Sequence, residues 1–210
     1  MKAKLLKINP DNPQKNKMDE VVNVLRQGGI IIYPTDTVYG LGCDIHNVRA
    51  VERVCKIKNL NPAKINMSFI CYDLSHISDY TRNLPTNIFK IMKKALPGPF
   101  TFILNASGKV PKILHTKKNT VGIRVPDHNI PRDLVRDLGN PILTTSIKDD
   151  DDDILEYYTD PELIYEKFKN LVDIVIDGGT GEIEPSTIID CTSDEPEVIR
   201  EGKGNIEMFI

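Results

Sequence analysis

The chain has 210 residues and a formal net charge of −3, so it is long enough for one sizeable core and we expect residues 1–210 to form a single domain. The charge gives no overall attraction to polyanions, and contact with nucleic acid would require a local basic patch. Four scattered cysteines without Cys-x-x-Cys spacing argue against a zinc or disulfide framework, and no apolar stretch reaches the ~18 residues of a membrane helix, so we expect a cytoplasmic protein without membrane contact.

The predicted elements alternate between helices and short apolar strands. A strand at Lys4–Ile8 is followed by a helix whose apolar positions recur at helical spacing up to the Gly28-Gly29 pair. The unbroken β-branched run from Ile30 predicts a buried strand, because a half-exposed strand would alternate with polar residues. Asn47 is a candidate N-cap for the next helix, which is expected to end near Lys56.

The same alternation continues to the end of the chain. Further strands are predicted at Met67–Cys71, Phe100–Leu104, Thr120–Val125, Pro141–Ser146, Asp173–Ile176, Thr187–Ile189 and Val198–Arg200. Further helices are predicted at Leu74–Tyr80, from a Thr86 cap to Leu96, at Ile130–Leu138 and from Asp160-Pro161 to Leu171. This pattern predicts an α/β layer architecture.

Two polar segments have compositions that are also found in metal or phosphate sites. Asp149–Asp153 is a run of five like charges, which repel one another and predict a surface loop. Consecutive carboxylates without a turn-forming pattern do not converge on one ion, so we expect no metal site there. The glycines of Asp177–Gly181 match neither phosphate-binding pattern, and we predict a turn.

Polar side chains crowd the end of the buried Ile30 strand. Pro34 ends that strand, and Thr35, Asp36 and Thr37 follow it directly. Buried polar groups need partners. From the residues alone, this segment is either a loop that satisfies its own backbone through Thr and Asp side chains or part of a ligand site.

Three cationic side chains, those of Arg124, Lys56 and Lys58, likewise allow either a structural role or a role in a ligand site. A charge inside the apolar strand of Arg124 is costly unless it is paired or reaches a ligand, so both a core ion pair and an anion-binding residue stay open. Residues two apart lie on one side of an extended segment, so Lys56 and Lys58 can reach one pocket if the helix ends near Lys56. Equally, cations favour a helix C-terminus for electrostatic reasons.

The segment Tyr33-Pro-Thr-Asp-Thr-Val-Tyr-Gly-Leu-Gly-Cys-Asp44 resembles the signature of the YrdC-like family, and further motifs follow in the family's order. They are Lys56-x-Lys58, Leu96-Pro-Gly-Pro-Phe-Thr101, Thr120-Val-Gly-Ile-Arg-Val-Pro126, Thr144-Thr-Ser146, Pro185-Ser-Thr-Ile-Ile-Asp190 and Val198-Ile-Arg-Glu-Gly202. Together they span about Gly29 to Gly202, and the run is most similar to the YciO branch of that family.

The resemblance implies a twisted mixed β-sheet with packed helices and one concave cavity. It also implies an L-threonylcarbamoyladenylate synthase, which condenses L-threonine, bicarbonate and ATP with release of pyrophosphate during tRNA modification. ATP would be a substrate accompanied by Mg²⁺. Such a reaction needs positioned cations and hydroxyls rather than a covalent nucleophile, and we expect no catalytic residue of that kind.

The family's sites carry over to eight positions. The threonine substrate would contact Thr37, Arg124 and Thr187. The nucleotide would contact Lys56, Lys58, Thr120, Ser146 and Arg200. Arg124 suits the threonine carboxylate because its planar fork binds carboxylates in a bidentate manner. On this basis, Arg124→Ala is expected to abolish amino-acid binding with little loss of fold.

Two positions depart from the family pattern where nucleotide is expected. The family's Lys-x-Arg is Lys56-x-Lys58 here, and its Ser-x-Asn becomes Ser146-Ile-Lys148, in which an amide is replaced by a group that only donates. These changes fit the YciO branch. The alternative function is a non-catalytic module for tRNA or double-stranded RNA, with phosphates meeting the lysines between Lys109 and Lys118; a hydrolase of an acyl-adenylate is a third.

Overall fold

The structure is a computed structural model that describes residues 2–59, 67–115, 117–147, 157–193 and 195–209. In these ranges the strands are β1 (Lys4–Lys7), β2 (Ile31–Tyr33), β3 (Gly40–Asp44), β4 (Ser68–Ile70), β5 (Phe100–Asn105), β6 (Thr120–Arg124), β7 (Ile142–Ser146), β8 (Ile174–Asp177), β9 (Thr187–Asp190) and β10 (Glu197–Arg200). The α-helices are α1 (Lys15–Arg26), α2 (Val48–Ile57), α3 (Ile77–Tyr80), α4 (Thr86–Ala95), α5 (Asn129–Leu138) and α6 (Pro161–Phe168).

The strands of these ranges form one mixed sheet in the order β1-β8-β2-β3-β7-β4-β6-β5-β9-β10. Four neighbouring pairs are parallel, namely β1 with β8, β8 with β2, β4 with β6 and β5 with β9. The remaining pairs are antiparallel. The predicted α/β fold with a mixed sheet is therefore confirmed.

Local sequence explains where most helices begin and end. Asn47 caps α2 by accepting a hydrogen bond from the Ala50 N–H at 3.0 Å, as predicted. Gly139 ends α5 in the left-handed conformation at φ +89°, which glycine adopts without steric penalty. The prediction that Thr86 caps α4 is wrong, because Thr86 is the first helical residue and Pro85 precedes it without a side-chain cap.

Helices cover the two faces of the sheet unequally. The apolar side chains of α2, α3, α4 and α6 pack against one face along most of its width. On the opposite face, α1 and α5 pack on β1, β8 and β2, and reach only Ile70 of β4 and Ile142 of β7. Because side chains alternate along a strand, Ser68 and Thr144 lie on that same face, two residues beyond the helices. This part of the sheet forms the floor of the cavities described below.

The four cysteines are free and buried, as expected for packing residues. Burial raises the pKa of the Cys71 and Cys191 thiols to about 12, so both remain protonated. In the described part of the chain, no helix has the length and apolar character needed to cross a membrane.

Candidate functional site

The segment that links β2 to β3 is held by its own side chains. The Thr35 hydroxyl donates to the Val38 carbonyl at 2.8 Å and accepts from the Thr37 N–H at 3.1 Å. These bonds form because a threonine side chain in a tight loop reaches the backbone two or three residues on. The self-satisfied loop of the first interpretation is therefore present, and the Thr37 side chain is turned toward β6.

Arg124 at the end of β6 binds this loop. Its Nη2 lies 2.6 Å from Asp36 Oδ1 and 2.6 Å from Thr37 Oγ1, and 3.1 Å from Thr35 Oγ1. The side chains of Arg124 and Asp36 are only 9% and 10% exposed. The second oxygen of Asp36 accepts from the Asp127 N–H at 3.0 Å. A buried ion pair thus joins the loop to β6.

The ion pair leaves part of the guanidinium unused. Nε of Arg124 is buried and has no hydrogen-bond partner among the described residues. A buried, charged donor without a partner is unfavourable unless a ligand supplies the acceptor. Arg124 therefore forms the core ion pair, one of the two alternatives that the sequence left open. Its Nε is a donor without a partner among the described residues, and anion binding by Arg124 remains a prediction.

Arg124 lines a small cavity of about 120 Å³ on the uncovered sheet face. The serine and threonine side chains around it are Ser68, Thr101, Thr144, Thr145, Ser146 and Ser186. The charged residues among its described lining are Arg124 and Arg200, with no carboxylate. Burial lowers the pKa of Arg200, nearby Tyr157 opposes this effect, and the positive charge of Arg124 adds to it. Two guanidinium groups thus share a site that favours an anion.

A larger cavity of about 470 Å³ continues from the small one, with which it shares Ser68, Thr101 and Ile188. Its volume falls within the roughly 300–1,000 Å³ of ligand pockets. Its polar lining comes from Asn105, Lys118, Thr120, Asp190 and Thr192. Its apolar lining includes Ile103, Val110, Leu114, Val121 and Ile199. At Gly122 in the floor, a Cβ would lie 2.4 Å from Ser68 Oγ, so any larger residue would require the Ser68 side chain to move.

The structure brings five of the eight sequence-predicted residues to this region. Thr37 and Arg124 are in direct contact. Ser146 and Arg200 line the small cavity, and Thr120 lines the large one. Their roles in binding remain predictions.

Thr187 does not fit the role that was expected of it. Its side chain is fully buried, and its hydroxyl donates to the Gly204 carbonyl at 2.7 Å and accepts from the Gly202 N–H at 3.0 Å. Both the hydrogen bond that this hydroxyl donates and the one that it accepts therefore stabilise the C-terminal turn. The preceding residue, Ser186, lines the small cavity instead. Alternation along β9, where Ile189 is a core residue, would have indicated this assignment.

Lys56 and Lys58 lie at the end of α2 and do not line either cavity in the described part of the chain. The helix runs through Ile57, and Lys58 is its C-cap at φ −89° and ψ 2°, which is not an extended conformation. The extended segment that would place both ammonium groups on one side is therefore absent from residues 56–58. Their position matches the alternative, in which cations favour a helix C-terminus. Lys148 and Asp149–Asp153 lie outside the described residues.

Sequence reasoning also missed three residues that shape the site, namely Asp36, Thr101 and Ser186. Asp36 pairs with Arg124, and the hydroxyls of Thr101 and Ser186 lie 2.8 Å apart at the cavity wall. Arg200 fixes that wall by donating from Nε and Nη2 to the Ser186 carbonyl, at 3.2 and 2.7 Å. Each of these residues stands inside a motif already noted in the sequence, which was the available signal.

The outer side of the loop is anchored by the C-terminal segment. Lys203 Nζ donates to the Asp36 carbonyl at 2.9 Å and to Glu182 Oε1 at 3.0 Å. The nearby turn at Asp177–Gly181 is present as predicted, with Gly179 at φ +97°. The Gly179 and Gly181 N–H groups bond to Asp177 Oδ1 and the Thr159 carbonyl, so they are engaged within the protein.

A mixed sheet with a positively charged, hydroxyl-lined cavity on one uncovered face is typical of α/β proteins that bind small ligands. The family model of the Sua5, YciO and YrdC proteins, described as telomere recombination, matches residues 23–202. The chain belongs to this family. It is 41% identical over 205 residues to the uncharacterized protein YciO of Escherichia coli strain K12, covering 97% of both chains.

Solved structures agree with this assignment. The crystal structure of E. coli YciO matches with a TM-score of 0.91 at 39% identity, covering 99% of this chain and 100% of the other. P. abyssi Sua5 complexed with L-threonine matches with a TM-score of 0.88 at 25% identity, covering 99% of this chain and 60% of the other. A threonylcarbamoyl-AMP synthase of Vibrio vulnificus is 28% identical over 193 residues, or 89% of this chain and 99% of the other.

Proposed function

We propose that this protein is an enzyme of the threonylcarbamoyl-AMP synthase type, which binds L-threonine in the small cavity and ATP in the large one. The observation that carries the proposal is Arg124, which is buried at the cavity wall, anchored to the loop through Nη2, and left with an unpaired Nε. The Vibrio synthase and the threonine complex of Sua5 name a reaction and a ligand within the same family.

The residues present suit this chemistry. Arg124 would bind the threonine carboxylate through a charge-assisted hydrogen bond. The hydroxyl of Ser146 would position the reactants, and Arg200 would face the phosphates from the cavity rim. The amino nitrogen of threonine would attack the carbon of bicarbonate and lose a proton, and water would leave to give a carbamate. A carbamate oxygen would then attack the α-phosphorus of ATP, and the bond from that phosphorus to the bridging oxygen of the β-phosphate would break to release pyrophosphate. The protein supplies orientation and positive charge to reactants that are all anionic or zwitterionic.

Mg²⁺ would be the counterion of the triphosphate. In the described ranges, no group of three or more His, Cys, Asp or Glu side chains is placed to hold a metal ion. A dedicated protein cage for the ion therefore does not fit these residues, and no step above depends on one.

Pyrophosphate release tests the proposal. Purified protein is incubated with ATP, and pyrophosphate and adenylate are measured with threonine and bicarbonate each present or omitted. We expect product only when all three substrates are present. We expect Ser146→Ala to lower turnover about 2- to 10-fold, the effect of one hydrogen bond, while Ser75→Ala, at an exposed serine away from both cavities, serves as the matched control. Absence of turnover, together with salt-sensitive RNA binding, would favour the RNA-binding module instead.

A further inference from the structure

A buried tyrosine lies directly beneath the small cavity. Tyr33 of β2 is fully buried, and its hydroxyl donates to Thr144 Oγ1 of β7 at 2.7 Å. Burial raises the pKa of Tyr33 well above its ordinary value, while the bond to Thr144 opposes this shift. The phenol therefore stays protonated at any working pH and acts as a hydrogen-bond donor.

The phenol reaches Thr144 by crossing an intervening strand. The sheet order is β2-β3-β7, so β3 separates the two residues. Glycines at positions 40 and 42 make the crossing possible. A Cβ at Gly40 would lie 3.1 Å from both Thr144 Oγ1 and Tyr33 Cζ, and a Cβ at Gly42 would lie 3.0 Å from Tyr33 Cε1. Gly40 thus leaves room for the hydrogen bond. Gly42 also lies against the β7 backbone, where a Cβ would come 2.4 Å from the Leu143 carbonyl oxygen.

This bond determines what Thr144 can offer to a ligand. A threonine hydroxyl has one proton and two lone pairs. Its oxygen accepts from Tyr33, and within the described residues this is its one hydrogen-bond contact. Thr144 is 7% exposed and lines the small cavity. The Thr144 proton is therefore available to an acceptor in the cavity. The hydrogen bond from Tyr33 makes the Thr144 hydroxyl a stronger donor, because hydrogen bonds in a chain polarise one another.

We propose that Thr144 is a specificity-determining donor and that Tyr33 is the positioning residue that assigns it this role. With Arg124 Nε and the Arg200 guanidinium, the small cavity then presents donors and selects a ligand group made of acceptor oxygens. A carboxylate satisfies this requirement. A carboxamide at the same place presents an N–H group and does not. The choice of L-threonine as the first probe rests on the proposed function.

Calorimetric titration with L-threonine and L-threoninamide tests the inference. We expect Tyr33→Phe and Thr144→Val to weaken threonine about 2- to 10-fold, the effect of one net hydrogen bond, with a smaller effect on threoninamide. Thr144→Ser keeps the hydroxyl and should bind threonine as the wild type does. The matched control is Thr81→Val, which removes a buried hydroxyl that donates to the Ile77 carbonyl away from both cavities. It should leave the ratio of the two affinities unchanged.

Two results would overturn the inference: an equal loss for both probes in Tyr33→Phe and Thr144→Val, or a Thr144→Ser variant as weak as Thr144→Val. If the wild type binds neither amino-acid probe, the threonine assignment of the proposed function fails, and inorganic phosphate becomes the probe. Weaker phosphate binding in Tyr33→Phe and Thr144→Val but not in Thr144→Ser would still support the inference. No phosphate binding by the wild type, or equal binding by all variants, would refute it.

Discussion

Replacement of Arg124 separates its role in folding from its role in binding. Alanine at this position removes the partner of Asp36, whose side chain is only 10% exposed. Breaking a buried ion pair by removing one partner costs about 3–5 kcal/mol, because the remaining charge stays buried and unpaired. For a chain of this size, each kcal/mol lowers the melting temperature by roughly 2–4 °C, so we expect Arg124→Ala to melt about 6–20 °C below the wild type. The structure therefore revises the expectation of little loss of fold.

A double variant isolates the binding role. Asp36→Asn combined with Arg124→Met removes both charges at once and leaves no unpaired ion, so most of the lost stability should return. Threonine affinity should not return, because the unpaired Nε donor is gone as well. A hydrogen bond to a charged group contributes about 1.5–3 kcal/mol, which predicts threonine binding weaker by roughly 10- to 150-fold in the double variant.

The assay combines chemical denaturation with calorimetric titration of L-threonine on wild type, Arg124→Ala, Asp36→Asn and the double variant. Stability restored without affinity is the expected result. A double variant that binds threonine as tightly as the wild type would show that Arg124 is a structural residue only. An Arg124→Ala variant as stable as the wild type would refute the cost of about 3–5 kcal/mol estimated for breaking the buried ion pair.

The remaining predictions concern the two sides of the loop. His128 caps α5 by accepting the Ile130 N–H on Nδ1, and burial lowers its pKa although nearby carboxylates oppose the shift. The free energy of unfolding should therefore be highest above the unfolded pKa of about 6.5 and should fall as the pH drops from there toward the folded pKa. Chemical denaturation between pH 5 and 8 measures this pH dependence, which should be absent from His128→Asn. Lys203→Met removes the hydrogen bond to the Asp36 carbonyl, so calorimetry should show threonine affinity lower by about 2- to 10-fold, with a stability loss below about 1 kcal/mol. Glu182→Gln keeps that hydrogen bond, and an equal loss of affinity in this variant would contradict the role assigned to the bond between Lys203 and Asp36.

The sequence predicted the elements well where a local signal was strong. The apolar run at Ile31–Tyr33, the Asn47 cap and the glycine after α5 each specify a conformation through contacts within a few residues. The contact between Arg124 and Thr37 could also be expected, because an unpaired charge and unpaired hydroxyls near strand ends both need partners. Their assignment to one site came from the family resemblance, since 87 residues separate the two positions in the chain.

Side-chain direction was harder to predict than element type. Ser186 and Thr187 are adjacent hydroxyl residues, and the register of β9, which begins at Thr187, decides which one lines the cavity. The prediction for Lys56 and Lys58 depended on where α2 ends, because moving that end by one residue changes which residues are extended and which are helical. The bond between Tyr33 and Thr144 could not be predicted, because it depends on the strand order of the sheet.

The ion pair of Arg124 and its proposed role in anion binding are compatible, because Asp36 and the small cavity lie on different sides of the loop. Asp36, Glu182 and Lys203 line a separate surface groove on the outer side of the loop, whereas Arg124 and Arg200 line the small cavity. The carboxylate is fully engaged there, with one oxygen on Arg124 and the other on the Asp127 N–H. It therefore orients the guanidinium without occupying the cavity. Had the carboxylate lain on the inner side, it would have filled the place of the proposed anionic ligand. From the outer side, it holds Arg124 in place without competing with that ligand.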